Sequence, residues 1–242
     1  MRRAYRVKYN DDRNTEDVVR ITMAISTVLF DLDNTLYPAS CGLMHGLDTR
    51  ITEYVQKLLG VELAEAMDLR RQYFVDYGTT LRGLQRHHTV DAEDYLAYIH
   101  DLALESFLAL DAELDLLLGR VSITKAIFTN APAEYARRVL AALGIERHFE
   151  NLFDIRFFAF QPKPELAAYR RVLDALRVAG PDVVFMEDTP QNLAPARALG
   201  MTTILVGELP DCDRSVADYI APDILTALQI VLELERSEQV KG

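Results

Sequence analysis

The sequence predicts an α/β protein, in which a doubly wound parallel sheet carries an all-helical domain inserted after its first strand. Two observations support this fold class. From Ile123 onward, short apolar segments rich in β-branched residues alternate with segments of helical periodicity, as in a parallel sheet covered on both faces. Between Tyr37 and about Arg120 only helical patterns occur, so this stretch interrupts the sheet.

Length and net charge narrow the classes of function. The chain has 242 residues, enough for one large domain or for one domain with an insertion. Its net charge of −11 argues against a nucleic-acid polymer as partner, because such partners require basic patches. A small phosphorylated metabolite agrees with this charge, since one lysine and a metal ion can neutralise it locally.

Cysteine content and hydropathy indicate the compartment. The two cysteines, Cys41 and Cys212, form no disulfide framework and agree with a cytoplasmic protein. The chain lacks both an apolar run of the roughly 18 residues that a membrane span needs and an N-terminal signal segment. We therefore expect no membrane partner, and a monomer or a homodimer.

The chain is predicted to divide into three parts. Residues 1–22 mix charged side chains with few apolar ones, which indicates a poorly ordered extension or, alternatively, a short arm that packs on the core or a partner. Met23 precedes the first strand and is a candidate translation start. Residues 23–37 and 118–242 are predicted to form the sheet domain, and residues 38–117 the inserted helical domain.

The first part of the chain contributes one strand and then helices. The apolar segment Ile25–Phe30 predicts the opening strand. Helical spacing of apolar residues, glycine stops and an N-cap at Asp91 predict the helices of the insertion. These helices are Met44–Leu59, Leu63–Tyr77, Thr79–Gln85 and Ala92–His100.

The second half alternates strands with helices. Helices are expected from Pro132 to Leu143, from Pro164, over residues 191–199 and over residues 223–233. Right-handed crossovers place the carboxyl ends of parallel strands at one edge of the sheet, where such sheets bind ligands. The predicted strands are Ile123–Thr129, Ile155–Phe160, Val183–Met186 and Thr203–Val206.

The first strand ends in two carboxylates, Asp31 and Asp33. In an extended chain residues i and i+2 point the same way, so both side chains should face one small volume. Two like charges this close are stabilised most simply by a divalent cation, and carboxylate oxygens suit Mg²⁺. One carboxylate can then attack phosphorus while the other transfers a proton. For this segment alone, a turn capped by aspartate and asparagine is the simpler alternative.

Polar residues also follow the other strands. Thr129 and Asn130 end the second strand, Lys163 lies in the loop after the third, and Glu187 and Asp188 end the fourth. Thr129 and the backbone N–H groups beside it can bind phosphate oxygens, Lys163 can neutralise the phosphate, and the acidic pair can complete a metal site. Each residue alone could be a helix cap, a solvated lysine or a turn residue. Their combination at successive strand ends predicts phosphoryl transfer with the first aspartate as nucleophile.

Four segments resemble the signature motifs of the haloacid dehalogenase-like (HAD) hydrolase superfamily, in its order: DLDNT, the FTN that ends a strand, QPKP and MEDTPQN. The resemblance spans about Ile25 to Gly207 and implies a Rossmann-like core with a helical cap. It implies that Asp31 forms an aspartyl-phosphate and that Asp33 acts as general acid and then as base. The dehalogenase branch lacks the second aspartate, so Asp33 favours phosphate chemistry.

The same resemblance implies the binding residues. Thr129 and Lys163, with Asn130 beside them, would hold the phosphate. The groups implied to bind Mg²⁺ are the Asp31 side chain, the Asp33 main-chain carbonyl, Asp188 and, through a water, Glu187.

Within the superfamily, the inserted domain resembles that of the pyrimidine 5′-nucleotidase group. The similar stretches are YGTTLRGL at Tyr77–Leu84 and DYLAYIHD at Asp94–Asp101, together with DLDNTLYP and IFTNAPAEYARRVLAALGI in the core. This implies a phosphatase of nucleoside monophosphates. The group shares no single substrate, Glu187 stands where an aspartate is common, and residues 106–111 match nothing, so a sugar-phosphate or phosphoglycolate phosphatase is the alternative.

Two other classes of protein are weighed against an enzyme. Phosphorylation-switched receiver modules also place Asp, Thr and Lys around Mg²⁺, but they are much shorter and their acidic pair precedes the phosphorylated aspartate. A catalytically idle binding protein disagrees with the intact set of polar residues at the strand ends.

Further candidates lie in the inserted domain. His87 and His88, followed by Asp91 and Asp94, could form a second metal site, although a solvated face is the commoner origin of such a cluster. Three residues could face the substrate, or could instead pack or form pairs locally: Tyr77, Arg82 and His100. Cys41 could be redox-sensitive or a small buried hydrophobe.

Overall fold

A computed structural model describes residues 25–207 and 214–239. The predicted extension, Met23 and Cys212 lie outside these residues. Within them the strands are β1 (Thr27–Phe30), β2 (Thr124–Phe128), β3 (Asn151–Phe153), β4 (Val183–Glu187), β5 (Thr202–Val206) and β6 (Tyr219–Ala221). They form one parallel sheet in the order β3-β2-β1-β4-β5-β6. The predicted fold class is confirmed.

Helices cover the sheet and fill the insertion. Between β1 and β2 lie α1 (Leu43–Leu59), α2 (Leu63–Tyr77), α3 (Thr80–His87), α4 (Ala92–Ile99) and α5 (Ala112–Arg120). After β2 follow α6 (Ala133–Leu143), α7 (Leu166–Leu176), α8 (Pro190–Ala198) and α9 (Ile224–Gln239). None of the helices in the described ranges has both the length and the apolar character that crossing a bilayer demands.

The central strand β1 is apolar on both faces because both faces are covered. Val28 and Phe30 join the hydrophobic cluster formed with α5, α6 and α9, whereas Leu29 joins the cluster of α7 and α8. Successive side chains of a strand point to opposite faces, which explains this division. β1 pairs with β2 on one side and with β4 on the other, so the sheet has its topological switch point at the end of β1.

Helices α1 to α4 share a hydrophobic cluster of their own. Tyr54 and Leu84 are among its buried members, and Ile155 joins it from the loop after β3. Helix α5 instead packs Leu114 and Leu118 into the cluster of the sheet. The division into domains stays a prediction, and its predicted boundary at residue 117 falls within α5.

The predicted strand Ile155–Phe160 is wrong, because the third strand is β3 and the chain turns directly after it. Asp154 accepts the backbone N–H of Phe157 at 2.9 Å with Oδ1 and that of Ala133 at 3.0 Å with Oδ2. Ala159 has a φ of +52°, which lies outside the strand region. Apolar residues of this segment are buried although they lie in a turn, so their sequence resembles that of a buried strand.

Two elements were not predicted individually. β6 has only three residues, too few to show an alternation, and the three consecutive leucines of α5, residues 116–118, do not follow helical spacing. The other boundaries differ from the predicted ones by a few residues.

Candidate active site

The predicted site residues converge at one edge of the sheet. β1, β2 and β4 are parallel neighbours, so their carboxyl ends lie side by side. Asp31, directly after β1, donates its backbone N–H to the Met186 carbonyl in β4 at 2.9 Å. Thr129, directly after β2, donates its N–H to the Phe153 carbonyl in β3 at 3.0 Å. This edge holds the switch point of the sheet, where parallel folds bind ligands.

Lys163 joins the predicted nucleophile to the predicted metal site. Its ammonium group lies 2.6 Å from Asp31 Oδ1 and 2.7 Å from Glu187 Oε2, and only 1% of the side chain is exposed. The rings of Phe128 and Phe185 lie 5.1 and 5.4 Å from the ammonium nitrogen. Burial by itself lowers the pKa of this lysine, but the two carboxylates outweigh burial and hold its pKa above the ordinary value. Lys163 therefore supplies a positive charge to the site while the two carboxylates beside it are ionised.

Asn130 holds the loop that carries Lys163. Lys163 donates its backbone N–H to Asn130 Oδ1 at 2.8 Å, and Asn130 Nδ2 donates to the Lys163 carbonyl at 3.1 Å. The amide thus bonds to the backbone through both its oxygen and its nitrogen. The structure contains the contact of Asn130 with the lysine loop. The contact of Asn130 with phosphate stays a prediction.

Thr35 completes the surroundings of the Asp31 carboxylate. Its hydroxyl donates to Asp31 Oδ2 at 2.9 Å, and Lys163 binds the other oxygen. Thr129 is buried too, and its hydroxyl accepts the backbone N–H of Ala131 at 3.0 Å. This local contact lies in the turn before α6 and is not the helix cap considered from the sequence, because Pro132 is the N-cap residue of α6. The contact of Thr129 with phosphate stays a prediction.

An acidic cluster lies beside the lysine. Asp31, Glu187 and Asp188 each offer a carboxylate oxygen, and these oxygens lie within 4.8 Å of one another. Within the described ranges no other group of three or more potential ligands lies this close together. Oxygen donors crowded at this distance suit a hard divalent cation such as Mg²⁺. The residues present therefore fit the metal that the motifs imply.

Burial makes this cluster costly to ionise. It raises the pKa of Asp31 to about 6, with a further contribution from the Glu187 charge, and it raises the pKa of Glu187 to about 7. Burial and then the Asp31 charge also raise the pKa of Asp188. Glu187 is held in place by Lys163 and by the backbone N–H of Thr189, which donates to Oε1 at 3.0 Å. A bound cation would offset the repulsion within the cluster.

Asp33 lies outside the lysine-bridged cluster and has different partners. Its Oδ1 accepts hydrogen bonds from the hydroxyls of Tyr37 and Tyr135, the latter at 3.0 Å. Burial, followed by the charge of Asp31, raises the pKa of Asp33 to about 6. A carboxyl group with a pKa near neutrality suits general acid–base catalysis.

The two tyrosines at Asp33 were missed by sequence reasoning. Tyr37 is part of the first motif segment, so its nearness to Asp33 was a usable signal. Tyr135 lies 102 residues after Asp33 and no local pattern in α6 marks it.

The inserted helices contact this edge of the sheet. Arg82 in α3 forms an ion pair of 2.8 Å with Glu165, two residues after Lys163. Arg156, in the turn after β3, pairs with Glu93 of α4 at 2.5 Å and with Glu134 of α6 at 2.8 Å. Of the alternatives that the sequence left open for Arg82, pairing with an acid is the one found.

The histidine pair of the insertion has local partners. His87 bonds to the Tyr77 hydroxyl at 2.7 Å, and His88 bonds to the Tyr73 hydroxyl at 2.9 Å. Asp91 caps α4 through the backbone N–H groups of residues 93 and 94. The second metal site considered for these residues is not among the clusters found in the described chain. Cys41 is half-buried.

Known proteins resemble this chain in sequence and in fold. The family model of haloacid dehalogenase-like hydrolases matches residues 25–200. Phosphate metabolism protein 8 of Saccharomyces cerevisiae is 26% identical over 192 residues, which cover 73% of this chain and 60% of the yeast protein. This chain therefore spans less than two thirds of the length of that relative.

Two further similarities extend over most of the chain. Glyceraldehyde 3-phosphate phosphatase of Methanocaldococcus jannaschii is 23% identical over 237 residues, 88% of this chain and 99% of that protein. Among solved structures, a HAD phosphatase from Thermococcus onnurineus has a TM-score of 0.58 at 20% identity, over 85% of this chain and 97% of the other. At that identity the structural likeness shows the fold alone.

Proposed function

The chain belongs to the haloacid dehalogenase-like hydrolases, and from that premise we propose that it is a Mg²⁺-dependent phosphatase of small phosphomonoesters. The observation that carries the proposal is the placement of Asp31. Its carboxylate lies at the end of β1 between Lys163 and Thr35, and it forms the acidic cluster together with Glu187 and Asp188. A second aspartate, Asp33, follows two residues later in the chain. A nucleophile, a fixed cation and a separate acid–base group are the parts that stepwise phosphoryl transfer needs.

In the proposed first step, an oxygen of Asp31 attacks phosphorus and the bond from phosphorus to the leaving oxygen breaks. Asp33 gives its proton to that oxygen, so the product leaves as an alcohol. In the second step, a water attacks the phosphorus of the aspartyl-phosphate, Asp33 takes a proton from the water, and the Asp31 carboxylate is released. The raised pKa of Asp33 allows it to hold a proton for the first step and to accept one in the second.

The proposed binding residues neutralise charge in both steps. Lys163 and Thr129 would bind the phosphate oxygens, and Asn130 would keep the lysine loop in place. When bound, Mg²⁺ would supply positive charge that stabilises the phosphate as it is transferred. The groups proposed to hold Mg²⁺ are the Asp31 side chain, the Asp33 main-chain carbonyl, Asp188 and, through a water, Glu187.

We propose a nucleoside monophosphate as the substrate, because the inserted helices resemble those of the pyrimidine 5′-nucleotidase group. A sugar phosphate or phosphoglycolate is the second candidate, and the archaeal relative, which is named for its activity on glyceraldehyde 3-phosphate, favours the sugar phosphate. Helices α1 to α4 would act as the cap that selects between them. A cytoplasmic enzyme that acts as a monomer or a homodimer is part of the same proposal.

The test is phosphate release from a panel of nucleoside monophosphates, sugar phosphates and phosphoglycolate, with Mg²⁺ and then with excess EDTA. We expect Mg²⁺-dependent release that EDTA abolishes and added Mg²⁺ restores. Selective release from UMP or CMP would support the nucleotidase assignment. Release only from the sugar phosphates or phosphoglycolate would overturn that assignment and support the second candidate. No release from any substrate, or a phospho-enzyme that persists, would favour a binding protein or a phosphorylation switch.

A second prediction concerns the contact between the inserted helices and the lysine loop. Gly78 ends α2 at a φ of +81°, and a Cβ there would lie 3.2 Å from both the Lys163 carbonyl oxygen and Pro164 Cδ. Gly78→Ala should lower the free energy of unfolding by about 1–2 kcal/mol. It should also lower kcat/KM roughly tenfold, since a shifted Lys163 would misplace the phosphate.

Gly60→Ala is the matched control for this variant. Gly60 ends α1 at a φ of +68°, and a Cβ there would meet no atom within 4 Å. Thermal or chemical unfolding should show a similar loss of stability, while kcat/KM stays at the wild-type value. Equal kinetic constants in the two variants would contradict the proposed link between Gly78 and the phosphate site.

A further inference from the structure

We infer that Tyr37 and Tyr135 are positioning residues for Asp33, and that His100 connects this pair to the inserted helices. The inference rests on the proposed function, because Asp33 is the group proposed to move the proton. The residues come from three separate parts of the chain. Tyr37 follows β1, Tyr135 lies in α6, and His100 directly follows α4.

The two tyrosines hold one oxygen of the Asp33 carboxylate. Both hydroxyls donate to Oδ1, and both side chains are buried, with 2% of Tyr37 and 1% of Tyr135 exposed. A carboxylate rotates easily about its terminal torsion, whose energy wells are broad. Two donors on rings that the surrounding core keeps in place restrict that torsion to one orientation.

This orientation assigns different tasks to the two oxygens of Asp33. Because Oδ1 is held by the tyrosines, we assign proton transfer to Oδ2. A general acid must lie within hydrogen-bond reach of the leaving oxygen, and a displacement of about 1 Å can cost roughly 10²-fold in rate. Loss of either hydroxyl should therefore weaken proton transfer while the carboxyl group itself stays present.

His100 packs against the same tyrosine from the side of the inserted helices. The centroid of its ring lies 4.4 Å from that of Tyr135, and its Nδ1 lies 2.9 Å from the Leu96 carbonyl. Arg138, three residues after Tyr135 in α6, donates to the carbonyls of His100 and Leu102 at 3.1 and 2.5 Å. Helix α6 thus binds the end of α4 and keeps the imidazole on the tyrosine ring. The position of the inserted helices and the orientation of Asp33 are therefore connected through one ring contact.

The alternative is that these buried tyrosines only complete the core. A phenylalanine would then serve equally well, because Tyr→Phe keeps the ring and removes one oxygen. The two possibilities differ in their dependence on the leaving group. An alkyl phosphomonoester needs its leaving oxygen protonated, whereas p-nitrophenolate leaves readily without a proton.

The experiment measures kcat/KM for the best alkyl phosphomonoester of the panel and for p-nitrophenyl phosphate. This quantity covers the steps up to cleavage of the first phosphorus–oxygen bond and leaves out hydrolysis of the aspartyl-phosphate. For Tyr135→Phe and for Tyr37→Phe we expect a loss of roughly tenfold or more with the alkyl substrate. With p-nitrophenyl phosphate we expect a loss of less than about threefold, because that step needs little acid catalysis.

Tyr54→Phe is the control for removing a tyrosine hydroxyl from a carboxylate elsewhere. Tyr54 donates to Asp94 Oδ2 at 2.9 Å within the inserted helices. Removal of its hydroxyl should leave kcat/KM unchanged for both substrates. Equal losses with both substrates, or none with either, in the Tyr135 and Tyr37 variants would overturn the inference and leave the proposed function standing. A wild-type protein that releases phosphate from no substrate would overturn the proposed function and this inference together.

The role of His100 is tested by two substitutions. His100→Ala removes the ring and should show the same dependence on the leaving group as Tyr135→Phe. His100→Phe keeps a ring on Tyr135 and should restore most of the activity with the alkyl substrate. Wild-type rates for His100→Ala would overturn the connection to the inserted helices.

Discussion

Replacement of Asp31 by asparagine should reduce phosphate release by roughly 10⁴-fold or more. Asparagine has nearly the same shape, but its neutral amide is not a competent nucleophile toward phosphorus. Binding and electrostatic stabilisation by the remaining groups would leave only a small residual rate. The measurement is steady-state phosphate release with the best substrate of the panel, at saturating Mg²⁺.

The Asp31→Asn variant should remain folded. The amide oxygen can still accept from Lys163, and the amide nitrogen then faces the Thr35 hydroxyl, whose oxygen can accept from it. Glu187 continues to pair with the lysine. Burial raises the pKa of Asp31 to about 6, so the native carboxylate is costly to keep ionised, and a neutral amide avoids that cost. We expect the free energy of unfolding to change by no more than about 1–2 kcal/mol.

Asp91→Asn is the matched control for the loss of one carboxylate. Asp91 caps α4 by accepting the backbone N–H of Glu93 at 2.8 Å, and asparagine caps helices about equally well. This control should keep wild-type activity and stability. Substantial residual turnover in Asp31→Asn, with the control unaffected, would rule out an aspartyl-phosphate on this residue.

Lys163→Met should have the second largest effect, because this lysine serves both catalysis and stability. Its ammonium group bridges two buried carboxylates, and methionine has similar length without the charge. Loss of a fixed cation at the transferred phosphate should lower kcat by roughly 10²–10³-fold. Removal of one partner from a buried ionic cluster should cost about 2–4 kcal/mol of stability at about pH 8.

The stability cost of Lys163→Met should depend on pH. Asp31 and Glu187 already have pKa values raised to about 6 and about 7, and the variant lacks the cation that opposes this rise. A carboxyl group with a folded pKa above its unfolded value binds protons more tightly when folded. Its contribution to stability is therefore lost as the pH rises toward the folded pKa and regained as the pH falls.

Chemical denaturation in metal-free buffer at about pH 8 and about pH 5 would measure this difference. We expect the difference in the free energy of unfolding between wild type and Lys163→Met to be smaller at the lower pH. Lys125→Met is the control, since Lys125 donates to the backbone carbonyls of Val121 and Ile123 at 2.7 and 3.3 Å. An equal difference in the free energy of unfolding at both pH values would show that Asp31 and Glu187 do not need the charge of Lys163.

The parallel sheet was predicted from local patterns alone, and the structure confirms it. The alternation of short apolar segments with helical periodicity required no knowledge of strand order to predict a parallel sheet. Parallel strands share one carboxyl edge whatever their order, so Asp31, Thr129 and Glu187 had to meet there once the topology was right. Lys163 was less certain, because a loop residue has no fixed direction.

Other features depended on contacts between distant segments. The segment Ile155–Phe160 imitated a strand because Ile155 packs against the inserted helices and Phe158 against the sheet, both from a turn. Asn130 was grouped with the phosphate ligands, yet its amide bonds to the backbone of Lys163. Propensity and periodicity describe neighbours along the chain, so they could not identify such partners.

By itself the sequence determined the family, the class of fold and the order of the reactive side chains along the chain, because backbone propensities and short motifs are local properties. Only the tertiary structure decided how those side chains are held. It placed Lys163 between two carboxylates, the hydroxyl of Tyr135 on Asp33, and the ring of His100 on Tyr135. These contacts depend on how α6, the turn after β3 and the inserted helices pack together. That packing is a property of burial and shape summed over the whole chain, and no single segment contains it.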